Sequence, residues 1–202
     1  TVYILGLFMT IIDGTMVNVA LPTMADDFGV PTTDIEWIAV GYLLTYAAVI
    51  PAAGWLGDRF GTKRVFTFAL IAFVATSLAC GLSQTLDQLI VFRVLQGVGA
   101  GLVTPVGAAM LYRAYAMEDR AKAAIGVLSV AVIAPAIGPM LGGILVDTAS
   151  WHWIFLINGP IGAVAIVLSF VWLDESRHET PGRFDLAGFV LSASSVAILL
   201  YT

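Results

Sequence analysis

The sequence has few charged residues and a single cysteine, and both shortages limit what the protein can be. Charged residues are 11% of the 202 and hydrophobic residues 59%, whereas about 25% of a soluble domain is charged. Cys80 has no second cysteine to pair with, so this chain holds neither a disulfide framework nor a cysteine metal site. The composition therefore predicts an all-α integral membrane protein with the lipid bilayer around it.

Apolar runs long enough to span a bilayer recur along the chain, with short polar links between them. We predict spans at about 2–21, 37–56, 65–82, 89–111, 121–146 and 153–173, and a further helix from about 184. Pro22 is expected to end the first. Residues 1–173 should form one six-helix bundle, 174–184 a cytoplasmic loop and 185–202 the beginning of a seventh helix. Since the chain starts and stops inside apolar runs, we expect it to continue at both ends.

Basic residues are absent from every second link, which predicts the orientation in the membrane. The links after the second, fourth and sixth spans contain Arg59, Lys63, Arg64, Arg113, Arg120, Lys122, Arg177 and Arg183. Because basic residues are retained on the cytoplasmic side, the amino terminus should be cytoplasmic. Tryptophans at both ends of the spans are typical of an interfacial belt. Those expected at the outer ends are Trp37, Trp151 and Trp153, and those at the inner ends are Trp55 and Trp172.

Two charged residues stand inside predicted spans, and they are the main candidates for function. A charge in the middle of a bilayer costs roughly 3 kcal/mol, so Asp13 is a functional hypothesis, the alternative being a solvated residue at a helix end. By helical rise, Arg93 reaches a similar depth. It should contact Asp13, Gln96 or helix carbonyls. Burial and a nearby cation have opposite effects on a carboxylate, so the proton affinity of Asp13 should depend on conformation.

Two further patterns each allow two interpretations. The turn GDRFGTKR places Asp58 among Arg59, Lys63 and Arg64, either as a latch that pairs in one conformation or as a solvated neighbour of residues that only set topology. The fifth span has small residues at Ala134, Gly138 and Gly142, with prolines between them. This stripe favours close approach of another helix, with bending at the prolines, or a fixed packing seam.

Catalytic groups are scarce. His152 and His178 are expected on opposite sides of the membrane, and no loop has the spacing of a phosphate site. An enzyme or scaffold within the membrane therefore remains only a distant alternative.

Five motifs together resemble one family. In order they are IIDGTMVNVALP, GWLGDRFGTKR, LIVFRVLQGVGAG, APAIGPMLGG and WHWIFLINGPIG. This order is similar to that of the 14-helix drug:proton antiporters of the major facilitator superfamily, and the eleven-residue link 174–184 suits that branch. Thr62 departs from the family at a position that is usually basic, and Ala134 replaces a glycine.

The resemblance implies the amino-terminal bundle of such a transporter, built as 3+3 inverted repeats. It implies export of amphipathic, cationic drugs against protons, with a proton gradient and no cofactor or metal as energy source. The partners would be the drug, protons and the bilayer, without nucleic acid, and the full-length protein would act as a monomer. A transporter of a lipid, siderophore or metabolite is the alternative.

The same resemblance assigns roles to particular residues and no catalytic residue. Asp13 and Arg93 would couple proton and substrate. The cavity-lining candidates are Asn18, Gln96 and Asn158. The gating turn would comprise Gly54, Asp58, Arg59, Gly61, Lys63 and Arg64, and the antiporter helix Gly138, Pro139, Gly142 and Gly143.

Overall fold

The fold is helical throughout the part of the chain that the computed structural model describes, residues 2–176, 182 and 184–201. The helices are α1 (Val2–Phe28), α2 (Thr32–Ile35), α3 (Trp37–Phe60), α4 (Thr62–Gly81), α5 (Leu86–Ala114), α6 (Arg120–Thr148), α7 (His152–Leu156), α8 (Asn158–Trp172) and α9 (Leu186–Tyr201). Within the described residues, six segments are long and apolar enough to cross a membrane: α1, α2 with α3, α4, α5, α6, and α7 with α8. The expected six-helix bundle is confirmed, with helix ends displaced by a few residues, as is usual.

Helix α1 does not end at Pro22, so that prediction is wrong. An interior proline removes one N–H donor and crowds the preceding turn, yet the helix continues to Phe28, six residues beyond it. It ends where Gly29 adopts a φ of 64° and the N–H groups of Gly29 and Val30 bond back to Asp26 and Ala25. This is the Schellman arrangement, which favours glycine. At about 1.5 Å per residue α1 is about 40 Å long, so it exceeds the hydrocarbon thickness.

The helices pack in a pattern that repeats within the bundle. Helix α1 lies along α6, and α5 lies along α3 in the same way. Helix α4 contacts α5, and α8 contacts α1 in the corresponding position. Exchanging α1, α3 and α4 with α5, α6 and α8 therefore preserves these pairings. An inverted repeat produces this arrangement, and it places α1 and α5 at equivalent positions in the centre.

The apolar core is divided into two clusters that lie toward opposite ends of the bundle. One contains Met9, Phe66 and Phe73, and the other contains Met16 and Ile154 with the residues around them. Along α1 the boundary falls between Met9 and Ile12, beside Asp13. The polar residues described below therefore form a layer between the two apolar clusters.

The tryptophans only partly follow the expected belt. Trp37 and Trp153 are exposed, but Trp151 is only 3% exposed. Its indole Nε1–H donates to Asp27 Oδ2 at 2.9 Å, and its ring lies against Phe28. Trp151 therefore attaches the start of α7 to the end of α1. The aromatic belt was predicted from sequence position, which cannot distinguish an indole facing lipid from one facing a neighbouring helix.

Candidate functional site

The two charged residues of the predicted spans form a buried ion pair. Asp13 comes from the middle of α1 and Arg93 from the second turn of α5, and their exposed fractions are 0% and 1%. Arg93 Nη1 donates to Asp13 Oδ2 at 2.6 Å. Because α1 and α5 are equivalent central helices, residues at similar depths on them face each other. This explains how two residues 80 positions apart meet.

The other carboxylate oxygen of Asp13 is held by two amides. Oδ1 accepts from Gln96 Nε2 at 3.0 Å and from Asn158 Nδ2 at 2.9 Å. The same Asn158 nitrogen donates to Ser77 Oγ at 3.0 Å, and this hydroxyl donates to the Phe155 carbonyl at 3.0 Å. The carboxylate of α1 is thereby connected to α4, α5, α7 and α8, and no part of it is exposed to solvent in this conformation.

Neutral groups fix the position of Arg93. Its Nη1 also donates to Gln96 Oε1 at 2.8 Å, and its Nε donates to the carbonyl of Ile38 on α3 at 3.3 Å. The guanidinium carbon lies 4.1 Å from the ring centre of Tyr42, a distance at which the ring face attracts a cation. Arg93 therefore has several partners that do not depend on the charge of Asp13.

A buried ion pair is seldom the most stabilising way to fill a core, because taking both charges out of water costs as much as their attraction returns. Losing one charge is different. If a proton neutralises Asp13, the positive charge of Arg93 stays in the core without compensation. The arrangement can thus convert the binding of one proton into a change of local charge from zero to plus one.

A cavity of about 300 Å³ opens beside this pair, between α1 and α3. We call it the α1–α3 cavity. Its polar wall residues are Thr10, Thr15, Asn18, Tyr42, Tyr46 and Arg93. Asn18, a cavity-lining candidate from the sequence, lies in this wall. Gln96 and Asn158 were expected there too, but the structure places both in the buried network, because their side chains point from α5 and α8 toward Asp13.

A second polar cluster lies at the opposite end from Trp151. Asp58 does not pair with a cation of its own turn. It accepts from Arg113 Nη2, at the end of α5, at 2.8 Å, and Arg113 Nη1 donates to Ser176 Oγ at 3.3 Å. Sequence reasoning used Arg113 only as a marker of orientation. Its position just after the fourth predicted span, in the link expected on the same side as Asp58, was the signal for this contact.

Glu175 is a further residue that the sequence did not reveal. Its Oε1 accepts from the backbone N–H of Lys63 at 3.1 Å, at the amino terminus of α4, where a negative charge is favourable. Arg64 Nε lies 3.5 Å from its Oε2. Thr62, the departure from the family pattern, is buried and bonds to the Ser176 carbonyl through both its N–H and its hydroxyl. A lysine or arginine in place of Thr62 would lose the hydroxyl hydrogen bond to Ser176 and could not keep its side chain in this buried position.

The other residues of the predicted gating turn have varied surroundings. Gly61 has a φ of 99°, a conformation that side chains disfavour, and it forms the turn between α3 and α4. Lys63 Nζ donates to the Phe170 carbonyl at 3.0 Å. Arg59 is exposed at the end of α3, and a Cβ at Gly54 would meet open space. Arg177, His178 and Arg183 lie outside the described residues.

The small-residue stripe of the fifth span faces α1. Ala134, Gly138 and Gly142 are the buried positions of α6 in the structure. A Cβ at Gly138 would collide with the Thr15 hydroxyl, and one at Gly142 would lie 3.1 Å from the Met16 backbone. Pro139 is exposed within the continuous helix, and a Cβ at Gly143 would meet no described atom within 4 Å. The stripe is therefore a packing seam between α1 and α6.

Comparison with known proteins identifies relatives across almost the whole chain. The family model described as Major Facilitator Superfamily matches residues 3–201. Proteins named "Putative multidrug resistance protein MdtD" are 44% identical over 195 residues in Salmonella paratyphi B and 43% identical over 194 in Salmonella typhi. Each alignment covers 96% of this chain and 41% of the relative. The chain thus spans about two fifths of the length of these relatives.

Solved structures with the same fold include two transporters. A peptide transporter POT in complex with sulfate has a TM-score of 0.76 at 16% identity, covering 99% of this chain and 44% of that one. The human organic anion transporter MFSD10 (TETRAN) has a TM-score of 0.74 at 18% identity, covering 98% and 53%. At these identities the likeness concerns the fold alone.

Proposed function

This chain belongs to the major facilitator superfamily, and we propose that it supplies the amino-terminal bundle of an exporter that exchanges amphipathic, cationic drugs for protons. The proposal is carried by one observation, the fully buried pair of Asp13 and Arg93 at mid-depth beside the α1–α3 cavity. A carboxylate at this depth is costly. Its retention in a core that could be apolar favours a role in transport rather than in stability.

Proton exchange follows from the chemistry of Asp13. The carboxylate can take up a proton when one conformation opens the network to the outer solution and can release it when another opens it to the cytoplasm. Alternating access of this kind places the site between the two repeats and near the middle of the bilayer. The proton gradient then supplies the energy, and the chain needs neither a cofactor nor a metal for this step.

The cargo and the orientation are parts of the same proposal. Relatives that share 43–44% identity carry the name of a multidrug resistance protein, and the cavity wall combines tyrosine rings with hydroxyl groups, which suits amphipathic aromatic compounds. We place the amino terminus in the cytoplasm because the basic links lie on one side. The inner membrane and a monomeric full-length protein are proposed from the resemblance to the family. The two repeats of this chain would then form one bundle, which would move relative to a second bundle.

The experiment uses everted membrane vesicles that contain the full-length protein and have an acidified lumen. Addition of tetraphenylphosphonium should raise the pH of the lumen with the wild type, because protons leave as the cation enters. Asp13→Asn should abolish this signal while inserting normally. Asp119→Asn removes an exposed carboxylate and serves as the matched control. Undiminished exchange by Asp13→Asn would show that another acid couples transport.

A second candidate is transport of an anionic solute by the same fold. It is favoured by the charge of the α1–α3 cavity, whose charged wall residue is Arg93. The vesicle assay separates the two candidates. An anion exporter would leave the luminal pH unchanged when tetraphenylphosphonium is added, and it would move tetraphenylborate instead.

A further inference from the structure

Arg93 and Asp13 have unequal access to the α1–α3 cavity, although they form one ion pair. Arg93 is part of the cavity wall. Asp13 is not: its exposed fraction is 0%, and its oxygens accept from Arg93, Gln96 and Asn158. A molecule in the cavity in this conformation would be adjacent to the cation of the pair and separated from the anion by it.

We propose that cargo in the α1–α3 cavity does not contact Asp13, and that proton binding to Asp13 expels cationic cargo by exposing the charge of Arg93. This rests on the proposed function and adds the means by which proton and cargo exclude each other. When Asp13 is ionised, the pair is neutral and the cavity admits a cation. When Asp13 is protonated, the cavity carries one uncompensated positive charge.

The proton has a defined place to bind. Asp13 Oδ1 accepts two hydrogen bonds, whereas Oδ2 accepts one, from Arg93, among the described residues. The free lone pair of Oδ2 therefore forms the new O–H bond with a proton from the outer solution. The pair then changes from net zero to plus one, and the bond that breaks is an O–H bond of the hydronium ion, which leaves as water.

Arg93 keeps its position after Asp13 is neutralised. Its bonds to Gln96 Oε1 and to the Ile38 carbonyl and its contact with the Tyr42 ring involve neutral partners. The exposed charge thus stays fixed at the cavity wall. At an effective dielectric constant of about 20, a second cation within about 7 Å would bind tenfold or more weakly.

Few other groups near Asp13 can titrate. Among the described residues, the charged and titratable groups around it are Arg93 on α5, Tyr42 with the more distant Tyr46 on α3, and Cys80 on α4. The helices α6, α7 and α8 contribute only residues that do not titrate near the pair, namely Gly138, Phe155 and Asn158 among the described residues. Tyrosine and cysteine side chains ordinarily ionise only above about pH 8, so these neighbours stay neutral in acid and contribute no change of charge there.

The test measures binding of two ions with nearly the same shape and opposite charge, tetraphenylphosphonium and tetraphenylborate, to the purified full-length protein. Both ions have a fixed charge, so any pH dependence belongs to the protein. Between about pH 8 and pH 5, the wild type should lose about tenfold in affinity for the cation and gain affinity for the anion. If both affinities fall together in acid, the proposal is overturned without any variant.

Two variants separate repulsion from direct contact. Asp13→Asn should bind the cation about tenfold more weakly than the wild type at every pH. The double variant Asp13→Asn/Arg93→Gln removes both charges, a change that buried pairs often tolerate, and it should restore cation binding without pH dependence. A double variant as weak as Asp13→Asn would show that cargo touches the carboxylate, and this proposal would fail.

The matched control is Asp119→Asn/Lys122→Gln, which removes an exposed ion pair of the same net charge and should behave as the wild type. The failure of the proposed function looks different. In that case Asp13→Asn would keep the pH dependence of binding seen in the wild type, and the double variant Asp13→Asn/Arg93→Gln would bind the two ions as Asp13→Asn does.

Discussion

Asn158 donates two hydrogen bonds through one nitrogen and receives none. Its Nδ2 reaches Asp13 and Ser77, while its Oδ1 is buried without a partner among the described residues. The reverse orientation of the amide would place two acceptor oxygens against each other unless Asp13 carried a proton. The observed orientation therefore supplies a donor to the Asp13 carboxylate, and the unpaired oxygen is a cost that this orientation imposes.

We expect Asn158→Ala to make transport more sensitive to acid. It removes a donor that favours the ionised carboxylate, so drug efflux should begin to fall at a higher pH than in the wild type. The measurement is the pH profile of efflux in vesicles. Ser77→Ala is the control, because it removes the other acceptor of the Asn158 amide and leaves Asp13 its donors. Identical profiles for Asn158→Ala and the wild type would show that this hydrogen bond does not influence coupling.

The sequence predicted the ion pair better than its surroundings. A charge within an apolar run is conspicuous, so Asp13 and Arg93 could be singled out and their depths compared. Ser77 and Asn158 could not be placed in this way, since uncharged polar residues are tolerated at many positions in a span. Their role depends on which way their helices face, and that is determined by packing.

At the scale of the helix, α6 packs on the described bundle through a single narrow face of small residues. Its buried positions are confined to Ala134, Gly138 and Gly142, which lie against α1. Large side chains such as Val132 and Met140 on other faces are exposed. Close approach of the two backbones must therefore provide most of the adhesion between α1 and α6, as small residues allow within membranes.

Gly142→Leu should weaken the bundle much more than Gly143→Leu. A Cβ at Gly142 would lie 3.1 Å from the Cα and the carbonyl oxygen of Met16, atoms of the backbone that cannot rotate away, whereas a Cβ at Gly143 would meet nothing within 4 Å. We expect the cost of overpacking to be about 1–3 kcal/mol at Gly142. Thermal unfolding of both full-length variants in detergent measures it. Equal melting temperatures would show that the α1–α6 seam yields easily.

Helix lengths illustrate what sequence patterns can predict at this scale. The small-residue stripe of α6 was recognised because its spacing of four residues matches one helix face. The end of α1 was misplaced because a proline was given more weight than the Schellman turn at Gly29, seven residues later. Both are local signals, but only the second also satisfies the last carbonyl groups of the helix.

At the scale of the whole molecule, two polar layers join the helices at different depths. The central one contains Asp13 and Arg93. The other lies at one end, where Asp58 on α3 pairs with Arg113 on α5, and Glu175, which follows α8, binds the start of α4. Four helices therefore meet through exposed polar groups, which can separate and reform in water more readily than buried ones.

Asp58→Asn should slow transport without preventing drug binding. Asp58 and Arg113 are 37% and 35% exposed, so their pair should contribute no more than about 1 kcal/mol to stability. Efflux should fall about tenfold if this pair selects one conformation, while tetraphenylphosphonium binding stays within about twofold. The exchanged pair Asp58→Arg/Arg113→Asp should recover part of the rate. A matching loss of binding and efflux would assign Asp58 to the cavity instead of the gate.

The depth of Asp13 makes the proposed exchange sensitive to voltage as well as to pH. Asp13 lies near the middle of the 27-residue helix α1, so a proton that reaches it from outside has crossed roughly half of the membrane's electric field. A full crossing is worth about 2.3 kcal/mol per 100 mV, and half of it changes proton occupancy about sevenfold. A membrane potential that is negative inside would therefore load Asp13 with protons even where the two solutions have the same pH.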